Sequence, residues 1–169
     1  MLHQFLLENR EAVLKRWRDL ILETYPADSN RFLKAEKDQF NNPVGFSITQ
    51  GIGNIYDELL NGFNLEKIHP SLDYIIRIRS VQDFSPSQAV GFIFLLKETV
   101  GEELKRGGCD GYKADDLNAF FSKLDKLAMY AFDIYMNCRE KLYDLRINDM
   151  KRRSSRLFER MNLDTDESE

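Results

Sequence analysis

Two histidines, His3 and His69, and two cysteines, Cys109 and Cys138, make up the whole imidazole and thiol stock of this 169-residue sequence. A four-Cys zinc site or a His-rich metal centre needs more of one type than this, and a dithiol redox site needs a C-x-x-C spacing, so none of them is expected. His3 falls in the first turn of the chain and His69 directly before Pro70. A residue before proline is biased out of the helical region, so His69 reads as an N-cap or surface histidine. A haem ligand would have to lie inside a helix and face the core. Cys109 sits in Gly107-Gly108-Cys109-Asp110-Gly111, a loop with no histidine nearby to act as its base. Cys138 reads as a helix-face packing residue, and together the two suit a reduced, cytoplasmic protein. Gly51-x-Gly53 lies inside a helical pattern with no strand before it and is not a dinucleotide loop. No nucleophile–base pair, metal set or cofactor motif can be assembled. The expectation is a non-enzyme without cofactor.

The charges narrow the partners. Twenty-four Lys and Arg against 28 Asp and Glu give a net charge of −4, the wrong sign for a protein dedicated to nucleic acid. The average hides unlike parts, however. Residues 139–160 hold eight basic and four acidic side chains, and residues 161–169 hold four acidic and no basic ones. The densest run, Lys151-Arg152-Arg153-Ser154-Ser155-Arg156, reads as a solvated helix face beside an acidic tail; contact with an acidic surface stays open. The apolar start of the chain is interrupted at Glu8 and does not read as a signal peptide. The longest apolar run, Ala89 to Leu96, is eight residues, far short of the roughly 20 that span a bilayer.

The elements that would position any site are helices. All four prolines and all nine glycines lie at or before Gly111. Apolar residues recur every three or four positions, and no period-two strand pattern appears. The spacing predicts helix one from Leu2 to Tyr25, ended by Pro26, and a short helix from Asn30 to Phe40. A third runs from Pro43 to Phe63, and its glycines suggest a closely crossing neighbour. The fourth, from Pro70 to Val81, uses Pro70 at its first position. The fifth, from Pro86 to Arg106, starts with a capping box in Ser85 and Gln88 and is apolar almost all round, so it is expected at the centre. The fold class is all-α, a bundle of about six helices with a long C-terminal helix. Residues 1–150 read as the domain and 151–169 as a helical extension with an acidic tail.

That last helix carries a prediction of its own. Tyr143, Ile147, Met150, Ser154, Leu157 and Met161 step by 4, 3, 4, 3 and 4, a heptad seam with Ser154 as its imperfection. An unbroken helix from Lys113 to Met161 would be about 74 Å long. A domain of this size is about 40 Å across, so some of that helix is expected to project. A lone amphipathic helix is marginal, so pairing with a second copy is expected, a break near Asn148 to Ser155 being the alternative.

One segment is more specific than the rest. Arg77-Ile-Arg79-Ser-Val-Gln82-Asp83-Phe84-Ser85-Pro86-Ser87-Gln88-Ala89-Val90 runs into Phe92-Ile-Phe94-Leu95-Leu96-Lys97. It resembles the hallmark region of the RsbRD N-terminal domain family, the N-terminal module of RsbT co-antagonist proteins. Trp17, Asn42-Pro43-Val44-Gly45, Ala131-Phe132-Asp133-x-Tyr135, Arg139-Glu140 and Asn148-x-x-Lys151-Arg152 support the resemblance, which covers roughly residues 5–155. It implies a helical sensor or interaction domain, in the role of the non-haem globin domains of related stressosome proteins, that dimerises and signals through a C-terminal helix. In the family that helix leads to a STAS domain; here a stand-alone domain is expected, so RsbT binding through STAS is not carried over. A protein partner, not nucleic acid or an integral membrane location, is the expectation. Two site readings remain. Tyr143, Ile147, Met150, Leu157 and Met161 are the candidate partner surface. Trp17, Arg77, Arg79, Phe92, Lys97 and Phe120 are a candidate pocket beneath the central helix, for a small-ligand carrier. Arg77, Arg79, Asp83 and Lys97 either pair within their corner or line a small anion pocket.

Overall fold

The computed structural model describes residues 1–26, 42–82, 84–108 and 111–166, with side chains as far as residue 158. Six helices carry the described residues, with no strand among them. They are α1 (Leu2–Glu8), α2 (Arg10–Glu23), α3 (Pro43–Leu60), α4 (Leu65–Val81), α5 (Pro86–Arg106) and α6 (Ala114–Asp166). The architecture is an all-α bundle with a long C-terminal helix.

Each start signal has a partner in space. The Asn42 side chain accepts from the Gly45 amide at 2.8 Å, with Pro43 at the first helical position of α3. At α5 the Ser85 hydroxyl accepts from the Gln88 amide while the Gln88 side chain accepts from the Ser85 amide, so the predicted capping box is formed. Helix α3 stops at Asn61, where Gly62 and then Phe63 take positive φ and the Phe63 amide reaches back to the Glu58 carbonyl at 2.7 Å.

Two boundaries and one burial pattern depart from the sequence pattern. The expected first helix is two, because Asn9 turns out of helical geometry and its side chain bonds the Phe5 carbonyl at 2.9 Å. The fourth helix starts at Leu65, not Pro70. Asn64 caps it by accepting from the Glu66 and Lys67 amides, so Pro70 lies inside the helix rather than opening it. Central α5 is not buried all round, since Phe94 is 46% exposed. The helix expected from Asn30 to Phe40 lies outside the described residues. The unpunctuated last helix runs helical through Asn148 to Ser155, without the alternative break.

The chain divides into two compact units, Met1–Tyr135 and Met136–Glu169. The first contains the core. Val13, Trp17 and Ile21 from α2 are buried with Ile48, Ile52 and Ile55 from α3 and with Leu72, Ile75 and Ile76 from α4. Phe92, Ile93 and Leu96 from α5 join Leu124, Leu127 and Ala131 from the start of α6. Each such side chain contributes about 1.5–3 kcal/mol of transfer free energy. The α3–α4 crossing is the close one that the glycines suggested: a Cβ on Gly51 would stand 2.9 Å from the Ile75 methyl. The second unit is the remainder of α6 alone, a helix whose large apolar side chains face solvent.

Candidate functional site

The hallmark segment folds into a buried corner where the end of α2, the end of α4 and the start of α5 meet. The last turn of α4 places Arg79 there, fully buried. Its Nη2 donates to the Thr24 hydroxyl at 3.0 Å and to the Gln88 carbonyl at 3.1 Å. Its carbon centre lies 4.2 Å from the Phe84 ring, 5.2 Å from Tyr25 and 5.7 Å from Phe92. These are cation–π distances, and the rings replace part of the lost hydration. They do not replace acceptors. Nε and Nη1 of Arg79 have no hydrogen-bond partner, nor has the buried Tyr25 hydroxyl beside the guanidinium.

Burial here works against the charge. It pushes the Arg79 guanidinium below its usual range, with the Tyr25 phenol opposing. The same burial pushes the Tyr25 phenol up, and the neighbouring positive charge pulls it partly back. Arginine stays protonated under such pressure, so the corner holds a real cation. An uncompensated buried charge costs several kcal/mol.

The candidate pocket residues do not share one place. Phe92 lies near Arg79, and Trp17 lies on the Phe92 side: the indole stacks on the Phe92 ring, and the Trp17 Nε1 donates to the Phe92 carbonyl at 2.7 Å. Arg77 is exposed and its Nε donates to Asp73 at 2.6 Å. Lys97 pairs with Asp125 and sits over the rings of Phe94 and Phe121. Phe120 lines a separate cavity of about 280 Å³ with Leu2, Leu6, Leu59 and Leu60. Asp83 and Cys109 lie outside the described residues. His69 is a surface residue, its Nδ1 within 2.7 Å of the Tyr130 hydroxyl. Cys138 is half-buried. Tyr25 and Thr24 were missed as site residues because their helical spacing marked them only as the end of a stripe. The Tyr-Pro at 25–26, which ends the helix beside the corner, was the available signal.

Elsewhere Arg18 Nε and Gln82 Oε1 are also buried without a partner, while other polar groups are committed. Arg10 grips Asp57 through Nε and Nη2 at 2.7 and 2.8 Å, and that hydrogen bonding raises the Arg10 guanidinium further. The Tyr56 hydroxyl donates to the Leu6 carbonyl at 2.9 Å. Among the described residues, no group of three His, Cys, Asp or Glu could hold a metal ion, and no helix is long and apolar enough to cross a membrane.

In the second unit, Tyr143 and Ile147 are each 49% exposed, Met150 69% and Leu157 60%. Met136 is exposed too, so Met136, Tyr143, Met150 and Leu157 follow one another at seven-residue spacing. Met161, the last member of the seam, lies outside the described side chains. Arg139 stacks on Tyr143, and Asp149 holds Arg152 and Arg153 on the neighbouring face.

Residues 11–150 match the family model described as the RsbT co-antagonist protein rsbRD N-terminal domain. A protein of Archaeoglobus fulgidus, described as uncharacterized, is 27% identical over 144 residues, which are 83% of this chain and 84% of its own. No solved structure matches.

Proposed function

Since the chain belongs to the RsbT co-antagonist protein rsbRD N-terminal domain family, we propose that it is a non-catalytic sensory or protein-interaction module of regulatory signalling. In this reading it works in the cytoplasm and pairs with a second copy through the end of α6. The observation that carries the pairing is the seam of Tyr143, Ile147, Met150 and Leu157, each about half exposed or more. Four large apolar side chains at a and d spacing on a solvated helix are stable against aggregation only when they meet a matching seam. The family description, a co-antagonist module, supports an output through protein contact. The body of residues 1–150 would serve as the sensing and docking domain, and the end of α6, from Tyr143 into residues 151–169, as the helix that presents the contact.

Light scattering tests this on the full chain, on a chain shortened at Glu140, and on full-length M150K/L157K. A dimer for the first and monomers for the other two is the expected result; equal oligomeric states overturn the pairing. A second reading, a small-ligand carrier, is favoured by one feature, the open cavity of about 280 Å³ at Phe120, mostly apolar but bordered by His3, Asp116 and Lys123. Thermal stabilisation by a small apolar molecule, lost in Phe120→Trp, would support it.

A further inference from the structure

We propose that the Arg79 corner is the binding site of one small anion, of halide to carboxylate size. The site offers donors and a charge. Arg79 is fully buried, and no carboxylate among the described residues pairs with it. One of its three nitrogens is used, by Thr24 and Gln88, and the other two have no acceptor. The Tyr25 hydroxyl, on a residue only 6% exposed, faces the same charge and its proton has no acceptor among the described residues. The rings of Phe84, Tyr25 and Phe92 lie near the guanidinium but supply no lone pair to its N–H groups. Among the described residues the corner lacks an acceptor bearing negative charge, whereas buried polar groups are satisfied and buried charges are paired in native proteins.

The same geometry limits the size of the occupant and its route. The guanidinium is enclosed, so a nucleotide or peptide does not fit. The cover is thin, because Thr24 and Gln88 are themselves exposed and Phe84 is half-buried. A small anion needs only surface side chains to move aside. Bound there, it would sit beneath Phe84, whose carbonyl accepts from the Tyr135 hydroxyl on α6 at 3.2 Å. The inference gives the sensory reading a ligand class, and it does not depend on the terminal helices pairing.

The chain's single tryptophan reports on the site, since Trp17 stacks on Phe92, one of the three rings around Arg79. The full-length protein is titrated with sodium bromide and sodium formate, sulfate serving to hold ionic strength constant. Thermal unfolding and Trp17 emission are followed. A saturable rise in Tm with both salts, and saturable quenching by bromide, are expected. Tyr25→Phe should weaken binding at least about tenfold, the loss of one hydrogen bond to a charged acceptor, and Arg79→Met should abolish saturation. Responses that are linear in salt, or that saturate identically in Tyr25→Phe, overturn the proposal. If Arg79→Met does not fold, crystals of the full chain soaked in bromide decide. An anomalous peak within hydrogen-bond reach of Arg79 supports the site, and water alone at that position overturns it.

Discussion

The indole of Trp17 donates to the Phe92 carbonyl across 2.7 Å while its ring lies on the Phe92 ring, 6.2 Å between centroids and 17° from parallel. This one pair fixes α2 on α5 in both distance and rotation. The stack sets how far apart the helices lie, and the hydrogen bond sets their slide. Phe92 also lies 5.7 Å from the Arg79 guanidinium, so the pair adjoins the charged corner.

Trp17→Phe keeps a ring in that stack and removes the donor. The loss of a buried hydrogen bond and the small cavity together should cost about 1–3 kcal/mol. Urea unfolding should show a lower midpoint with an unchanged slope. An unchanged midpoint would mean that the indole N–H contributes nothing to holding the two helices.

Two glycines of α5 are removable. A Cβ at Gly91 or Gly101 would meet nothing within 4 Å, and both lie in helix interior. Gly91→Ala and Gly101→Ala should each stabilise the protein, by up to about 1 kcal/mol, through helix propensity and a less free unfolded chain. Gly51→Val, pressed against the buried Ile75 methyl, should destabilise it instead. Thermal unfolding of the three variants separates the signs.

These glycines show what the sequence made legible. Helical periodicity and the caps at Asn42 and Ser85 gave the fold class and the start of α5, because capping is local chemistry. Asn64 is a weaker start signal in the sequence than Pro70, yet a proline can also stand inside a helix where a turn has already formed. The site was half legible. The hallmark segment and the apolar stripes together point to Arg79, Trp17 and Phe92, but they group them with Arg77, Lys97 and Phe120. Arg77 is two residues from Arg79 and so points to a different side of α4, where solvent and Asp73 take it. Which arginine faces inward is decided by packing among three helices, and that is not written in any one of them.

Alkaline pH should unfold the domain through its buried phenols. Burial raises the Tyr56 hydroxyl well above the ordinary phenol value near 10, and it raises Tyr25 as well. A raised folded value means the contribution is whole below the unfolded value near 10 and is lost as pH climbs toward the folded one. Denaturant stability should therefore fall above about pH 10, where the unfolded chain releases these protons first. Tyr56→Phe loses its hydrogen bond to the Leu6 carbonyl and should be about 1 kcal/mol less stable at neutral pH. Its alkaline decline should nevertheless be shallower than that of the natural protein. Parallel declines would remove Tyr56 as a cause.

The proposed pairing of the terminal helices has a weak point that can be repaired. Ser154 occupies the a-type position between Met150 and Leu157, where the seam is otherwise apolar. A β-branched residue at that position favours a two-stranded coiled coil, so Ser154→Ile completes the stripe without changing charge. Burying the new side chain is worth about 1.5–3 kcal/mol per chain, and about 1.4 kcal/mol is tenfold in an equilibrium constant. Sedimentation should therefore show the dimer dissociation constant falling at least about tenfold. Ser155→Ile adds the same apolar surface about 100° around the helix, off the seam, and should leave the constant within about threefold of the natural protein. If both variants tighten association equally, general stickiness rather than a register-specific seam is responsible, and the pairing through Tyr143, Ile147, Met150 and Leu157 fails.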